Sequence, residues 1–186
     1  MDALDALINR VSIPLLEAPG PSEDELAVMF RAALRAPDHG AVRPWRFLVV
    51  EGEALDRLGE LLLKGALAAE PDLPEEKCQK LLQAPRRAPT VVVVIAATRE
   101  HPKAPKVEQL ISAGCAAHSI LLAAHAQGLG AMWRTGAPAY DPLVKQGLGL
   151  ADGEELVGFI YLGTPSRGKP SPQLEVEDFV SRWGGE

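Results

Sequence analysis

A chain of 186 residues with 47% hydrophobic content is long enough for one substantial core and too short for two, so a single domain over 1–186 is expected. Nineteen Lys and Arg against 25 Asp and Glu leave a formal charge of −6 with no basic tract, which argues against a nucleic-acid partner. Cys78 and Cys115 lack C-x-x-C spacing, and the acidic start Met1-Asp2-Ala3-Leu4-Asp5 is unlike a signal peptide, so neither a disulfide framework nor a zinc site is expected and a reducing cytoplasm is the anticipated compartment.

Asp2 is placed to cap a short helix through Asn9, with Leu4, Leu7 and Ile8 at helical spacing and an end at Arg10-Val11-Ser12. After a Pro-rich loop, Ser22-Glu23-Asp24-Glu25 has the capping-box pattern and Leu26, Met29, Phe30, Ala33 and Leu34 share one helical face up to Arg35. Arg46 to Glu51 reads as a buried strand, and Glu53 to Glu70 as a helix. Pro74 suits the first turn of a short helix ending near Gln83, and the β-branched run within Thr90 to Ala97 is the strongest strand signal.

The stretch Val107 to Leu129 has about the length of a bilayer span. It contains Glu108, Gln109, Ser112, His118, Ser119, His125 and Gln127, which are expensive in hydrocarbon, so it is predicted to be a buried central helix with no membrane partner. A strand is expected around Ala131 to Arg134, a short helix near Tyr140 to Leu148, a last strand at Leu156 to Leu162, then an irregular tail. This order predicts an α+β fold, a single mixed sheet flanked by helices on both faces.

Gly128-x-Gly130 follows a helix and precedes a strand, the reverse of a dinucleotide fingerprint, and no G-x-x-x-x-G-K-[ST] loop exists. His118 and His125 are separated by about 10 Å of helical rise, too far for one metal ion. Cys115 reads as a small buried apolar group. No metal site is expected.

Four segments are harder to explain as packing. Arg10-Val11-Ser12 can direct a guanidinium and a hydroxyl at one phosphate, or Arg10 can simply complement a helix end. Arg35-Ala36-Pro37-Asp38-His39 with Arg43-Pro44-Trp45 offers donors and a flat ring; Asp38 and Trp45 read as turn and anchor, while Arg35 and His39 are balanced between site and surface. At Trp133-Arg134-Thr135-Gly136 side-chain alternation lets one residue pack while its neighbour faces a site. Gly163-Thr164-Pro165 with Arg167 and Lys169 reads mainly as an exposed turn.

In this order the segments resemble the nitroreductase superfamily, in particular its short bacterial YdjA-type NAD(P)H nitroreductases. The likeness covers nearly the whole chain: Met1-Asp2-Ala3-Leu4, Leu7-Ile8-Asn9-Arg10, Arg35-Ala36-Pro37-Asp38-His39, Pro44-Trp45-Arg46-Phe47, Ser112-Ala113-Gly114-Cys115-Ala116, Ala126-Gln127-Gly128, Trp133-Arg134 and Leu162-Gly163-Thr164-Pro165. The resemblance implies a nitroreductase-like α+β dimer with two flavin mononucleotide (FMN) molecules at the subunit interface and the long central helix within that interface. By matching position, Arg10, Val11 and Ser12 would hold the phosphate end, Arg35 and His39 would reach the flavin of the other subunit, and Trp133, Arg134 and Thr135 would form a third flavin segment. Ala123, Ala124, His125, Ala126, Gln127 and Gly128 match a segment assigned to NAD(P)H, although a helix C-terminus carries negative potential. This chain departs from the family pattern at Val11, where a second Arg is usual, at Ala41 (Asn) and at Arg43 (Gln).

The implied activity is electron transfer from NAD(P)H to nitro compounds, quinones or similar flat acceptors by a ping-pong mechanism. No catalytic side chain is expected, the chemistry residing on FMN N5. Other flavin reactions on the same fold (dehalogenation, dehydrogenation or flavin fragmentation) and a non-catalytic flavin-binding protein are the alternatives.

Overall fold

The structure, a computed structural model, describes residues 1–184. Helix α1 (Ala3–Asn9) starts where the Asp2 carboxylate accepts the Asp5 amide at 3.0 Å. A two-residue strand β1 (Leu16–Glu17), not anticipated from the sequence, precedes α2 (Glu23–Ala33). The α2 capping box is complete, Ser22 Oγ accepting from the Glu25 amide and Glu25 accepting from the Ser22 amide. The helix stops two residues before Arg35.

Strand β2 (Arg46–Glu51) and strand β3 (Thr90–Ala97) have the predicted bounds. Between them lie α3 (Ala54–Ala69) and α4 (Glu75–Gln83), with Pro74 at the N-cap. Helix α5 (Lys106–Ala126) leads to β4 (Gly130–Arg134). The single helix expected near 140–148 is two, α6 (Ala137–Tyr140) and α7 (Pro142–Gly147), because Asp141 turns out of the first and its carboxylate caps the second through the Val144 amide at 2.9 Å. Strand β5 (Glu154–Pro165) is longer than expected at 12 residues.

The sheet corrects one expectation: every pairing is antiparallel rather than mixed, in the order β2, β3, β5, β4, with β1 paired to the end of β5. Strands β3 and β4 do run in the same direction, as the α5 crossover requires, but the last strand inserts between them. Because α3 and α4 leave and return at one end of the sheet, β2 and β3 are also antiparallel neighbours.

Alternation divides the core between two faces. Val91, Val93, Ile95, Phe159 and Tyr161 pack with Leu55, Leu58, Leu62 and Val144 on the α3/α7 face. Val92, Val94, Ile160 and Leu162 pack with Met29, Ala116, Ala117, Ile120 and Ala124 on the α2/α5 face. Helix α5 is long and apolar enough to cross a membrane by length and composition, and half of its most apolar window is buried against the protein. Its fully buried Ala113, Ala116, Ala117 and Ala124 let it lie close to the sheet. Val107, Leu110 and Ile111 at its start remain exposed, as do Leu4, Leu7 and Ile8 of α1 and, in the tail, Leu174, Val176, Phe179, Val180 and Trp183.

Candidate active site along the edge strand

Strand β4 pairs along its length with β5 alone, and the Ile13 amide donates to Ala131 O at 3.0 Å, tying the Arg10–Ile13 segment to the start of the strand. Register then fixes the two side-chain directions. Ala131 and Trp133, opposite Leu162 and Ile160, face α5; Met132 and Arg134, opposite Tyr161 and Phe159, face α3 and α4. A bulge in β5, where Val94 opposes Gly158 but Ile95 opposes Leu156, seats the Trp133 indole over the backbone, its Nε1 donating to Val157 O at 3.2 Å. A Cβ on Gly158, whose φ is 149°, would lie 2.3 Å from that nitrogen.

At the start of β4 a cavity of about 230 Å³ is lined by Arg10, Val11, Leu121, His125, Ala131 and Lys169, among others. Arg10 Nη1 and His125 Nε2 are both buried there without a hydrogen-bond partner. Val11 packs on the core beneath, so replacing the usual arginine exchanges a charge for apolar contact. Ser12 is half-buried. Arg167 and Lys169 sit in an exposed turn, as expected, yet that turn forms the cavity wall; it is fastened by Ser166 Oγ donating to Leu15 O at 3.2 Å and Ser171 Oγ donating to Asn9 O at 3.1 Å.

At the other end of β4 a second cavity, about 240 Å³, is lined by Lys80, Arg87, Arg134, Thr135 and Tyr161 with apolar neighbours. The Arg134 guanidinium lies 5.5 Å from the Tyr161 ring centroid, and its Nε is buried and unpartnered. Burial, followed by the charge of Arg87, lowers the Arg134 pKa, and burial raises that of Tyr161. Lys80 is paired with Glu76 at 2.5 Å and Arg86 with Asp56, while Arg87 and Arg134 have no acidic partner among the described residues. Arg87 was not singled out from the sequence, where it reads as one more surface cation before a strand.

Arg35 and His39 lie elsewhere. Arg35 lines an open, polar cavity of about 490 Å³ with Asp38, Ala41, Arg43 and Trp45. Asp38 makes the expected turn, accepting from the Val42 and Arg43 amides at 3.1 and 2.7 Å. It holds Ala41 and Arg43 in left-handed conformations, φ 52° and 53°, a strain tolerated where the surroundings over-determine the backbone. The exposed His39 pairs through Nδ1 with Glu108 of α5 at 2.5 Å.

The segment Ala123–Gly128 forms the C-terminus of α5. Ala124 is fully buried and therefore cannot touch a nucleotide. Gln127 Nε2 donates to Ala123 O and Glu25 O, and Gly128 closes the helix at φ 81°. His125 and Gly128 line the first cavity with Arg10.

Among the described residues, the three buried side-chain atoms without a partner, on Arg10, His125 and Arg134, all fall in segments expected to contact flavin or nucleotide. A buried, unpartnered guanidinium nitrogen beside an unpartnered imidazole nitrogen at one end of the strand suits a phosphate, and a cleft lined by two arginines at the other suits a ring with electronegative edges, so the donor set fits FMN.

Comparisons with known proteins agree in their own terms. Residues 9–164 match the model of the Nitroreductase family. The chain is 43% identical over 178 residues, 96% of each chain, to YdjA of Escherichia coli (strain K12), by provisional name an NAD(P)H nitroreductase. A crystal structure of a nitroreductase-like family protein from Bacillus cereus superposes with a TM-score of 0.84 at 20% identity, covering 100% of this chain and 97% of that one. A Desulfovibrio desulfuricans protein provisionally named a nitroreductase and solved in complex with FMN has a TM-score of 0.72 at 23% identity, over 96% and 95% of the two chains. Fold, edge-strand site and sequence converge: this chain belongs to the nitroreductase family.

Proposed function

We propose that the protein is an FMN-dependent oxidoreductase that takes electrons from NAD(P)H and delivers them to nitro compounds, quinones or similar flat acceptors. The observation that carries this reading is the set of unpartnered buried nitrogens, Arg10 Nη1 and His125 Nε2 at one end of β4 and Arg134 Nε at the other. Such groups are costly unless a ligand completes them.

When bound, FMN supplies the redox chemistry, accepting hydride at its N5 and passing electrons on. The chain holds and orients it. Arg10 and Lys169, with the Ser12 hydroxyl, supply the charge-assisted contacts for the phosphate; Arg134 and Thr135 border the ring end, and Trp133, on the other face of β4 and locked by its bond to Val157 O, holds that part of the strand in place. Arg35 and His39 serve the site of a second subunit, since they line neither cavity along β4 in their own chain. The exposed apolar residues of α1, the start of α5 and the tail support a homodimer that buries them. NAD(P)H and acceptor occupy the same opening in turn, and the cytoplasm supplies the reductant.

Purification tests the reading directly. The protein is expected to be yellow and to release FMN on heating, and NAD(P)H is expected to bleach it. Release of FAD, or failure to take up added FMN, would overturn it.

A further inference from the structure

The short turn Pro85–Arg87 ahead of β3 carries two adjacent arginines in different surroundings. Arg86 Nε donates to the Asp56 carboxylate of α3 at 2.5 Å, so its charge is compensated. Arg87, one residue on, lines the ring-end cavity with Arg134 and Thr135, while buried Pro85 and Ala88 fix the turn against the core. Among the described residues no Asp or Glu lines that cavity, and its third cation, Lys80, is already paired with Glu76 at 2.5 Å. Burial first and the charge of Arg87 second lower the pKa of Arg134, so the two guanidiniums repel each other across the cavity. Such a pair favours an occupant that carries negative charge.

The oxidised flavin ring is neutral. A hydride from NAD(P)H brings two electrons and one proton to N5, so the nicotinamide leaves oxidised and the ring gains one negative charge. Resting on the flavin reading above, we propose that Arg87 makes this site bind the reduced ring more tightly than the oxidised one, and so sets the midpoint potential of the flavin. Arg134 differs in kind. Its Nε is buried and its guanidinium lies 5.5 Å from the Tyr161 ring centroid, so packing makes it part of the seat for the ring in both redox states. Arg87 is exposed, and its side chain is tied by no hydrogen bond among the described residues. What it contributes is charge, and charge discriminates between a neutral ring and an anion of nearly the same shape.

Potentiometric titration of the FMN-loaded protein, followed by flavin absorbance, measures the potential, and fluorescence titration of flavin-free protein with FMN measures affinity for the oxidised form. In Arg87→Gln the reduced form is expected to lose about tenfold in affinity, the step from a charged to a neutral hydrogen bond, while the oxidised form changes by less than about threefold. For a two-electron couple that tenfold is a fall of about 30 mV in potential. Arg87→Lys should recover most of it. Arg86→Gln, next in the chain but paired outside the cavity, should leave the potential at its wild-type value. A potential unmoved in Arg87→Gln, whether or not oxidised FMN binds more weakly, overturns the inference; so does an equal fall in Arg86→Gln, which would make the effect one of net charge. Failure of the wild-type protein to take up FMN would overturn the flavin reading and this inference with it, whereas uptake with an unmoved potential leaves that reading standing and removes only the role of Arg87.

Discussion

Replacing Arg10 by Met separates a phosphate-binding arginine from one that merely complements the end of α1. The unbranched thioether fills most of the same path past Leu121 and Ala131 while removing the charge. With Nη1 buried and unpartnered, the guanidinium costs the flavin-free protein on the order of 1–3 kcal/mol, and the phosphate returns about 1.5–3 kcal/mol through a charge-assisted bond. The two states should therefore move in opposite directions. FMN affinity is expected to fall about ten- to a hundredfold, and the thermal midpoint of the flavin-free protein to hold or rise by about 2–4 °C per kcal/mol relieved. Fluorescence titration of flavin-free protein with FMN and a thermal melt in its absence measure the two quantities. Unchanged FMN affinity together with a lowered midpoint would refute the reasoning and leave Arg10 its helix-end role.

Gly158→Ala should cost about 2 kcal/mol or more, because its Cβ would fall 2.3 Å from Trp133 Nε1 and 2.7 Å from Arg134 O; a melt within a degree of wild type would show that the bulge yields. Glu154 accepts from Arg46 Nε and Nη2 at 2.7 and 2.5 Å, and these bonds lower its pKa. The resulting stabilisation is present above the ordinary carboxylate range and is lost as pH falls below about 4.5, so Glu154→Gln should flatten the acid limb of a stability–pH curve; parallel limbs would contradict this. The pair Leu7→Glu and Ile111→Glu, on exposed apolar positions, should lower the mass seen by light scattering from dimer to monomer, whereas a wild-type monomer at micromolar concentration would refute the assembly. Initial rates with NAD(P)H and acceptor varied together should give parallel double-reciprocal lines; intersecting lines would require both to be bound at once.

Local signals served the sequence reading well. The β-branched run at Thr90 to Ala97 and the Ser22–Glu25 box are written in neighbouring residues, and both elements appear as expected. The Trp133-Arg134 pair was legible for the same reason, since alternation along a strand is local, and Trp133 packs on the α5 face while Arg134 turns to the other. What the sequence hid is long-range. Nothing near Leu156 announces that the last strand will insert between β3 and β4, which is why a mixed sheet was expected. Arg87 and Lys169 look like ordinary turn and surface cations, and their place in the cavities comes from residues distant in the chain: Arg134 for the first, Arg10 for the second. Two residues of β1 are too few to carry a pattern.

The two basic loci are joined by a single strand, and a strand is an inextensible spacer. From Ala131, where Ile13 anchors the Arg10 segment, to Arg134 the backbone advances about 10 Å at 3.3 Å per residue. Removing one residue from this run would shorten the span by about 3.3 Å and at the same time turn the Arg134 side chain onto the α5 face. Reach and facing are thus locked together, so small insertions and deletions are closed routes to a longer or shorter ligand. Variation in what this site accepts has to come by substitution, or from the walls that α3 and α4 raise beside the strand.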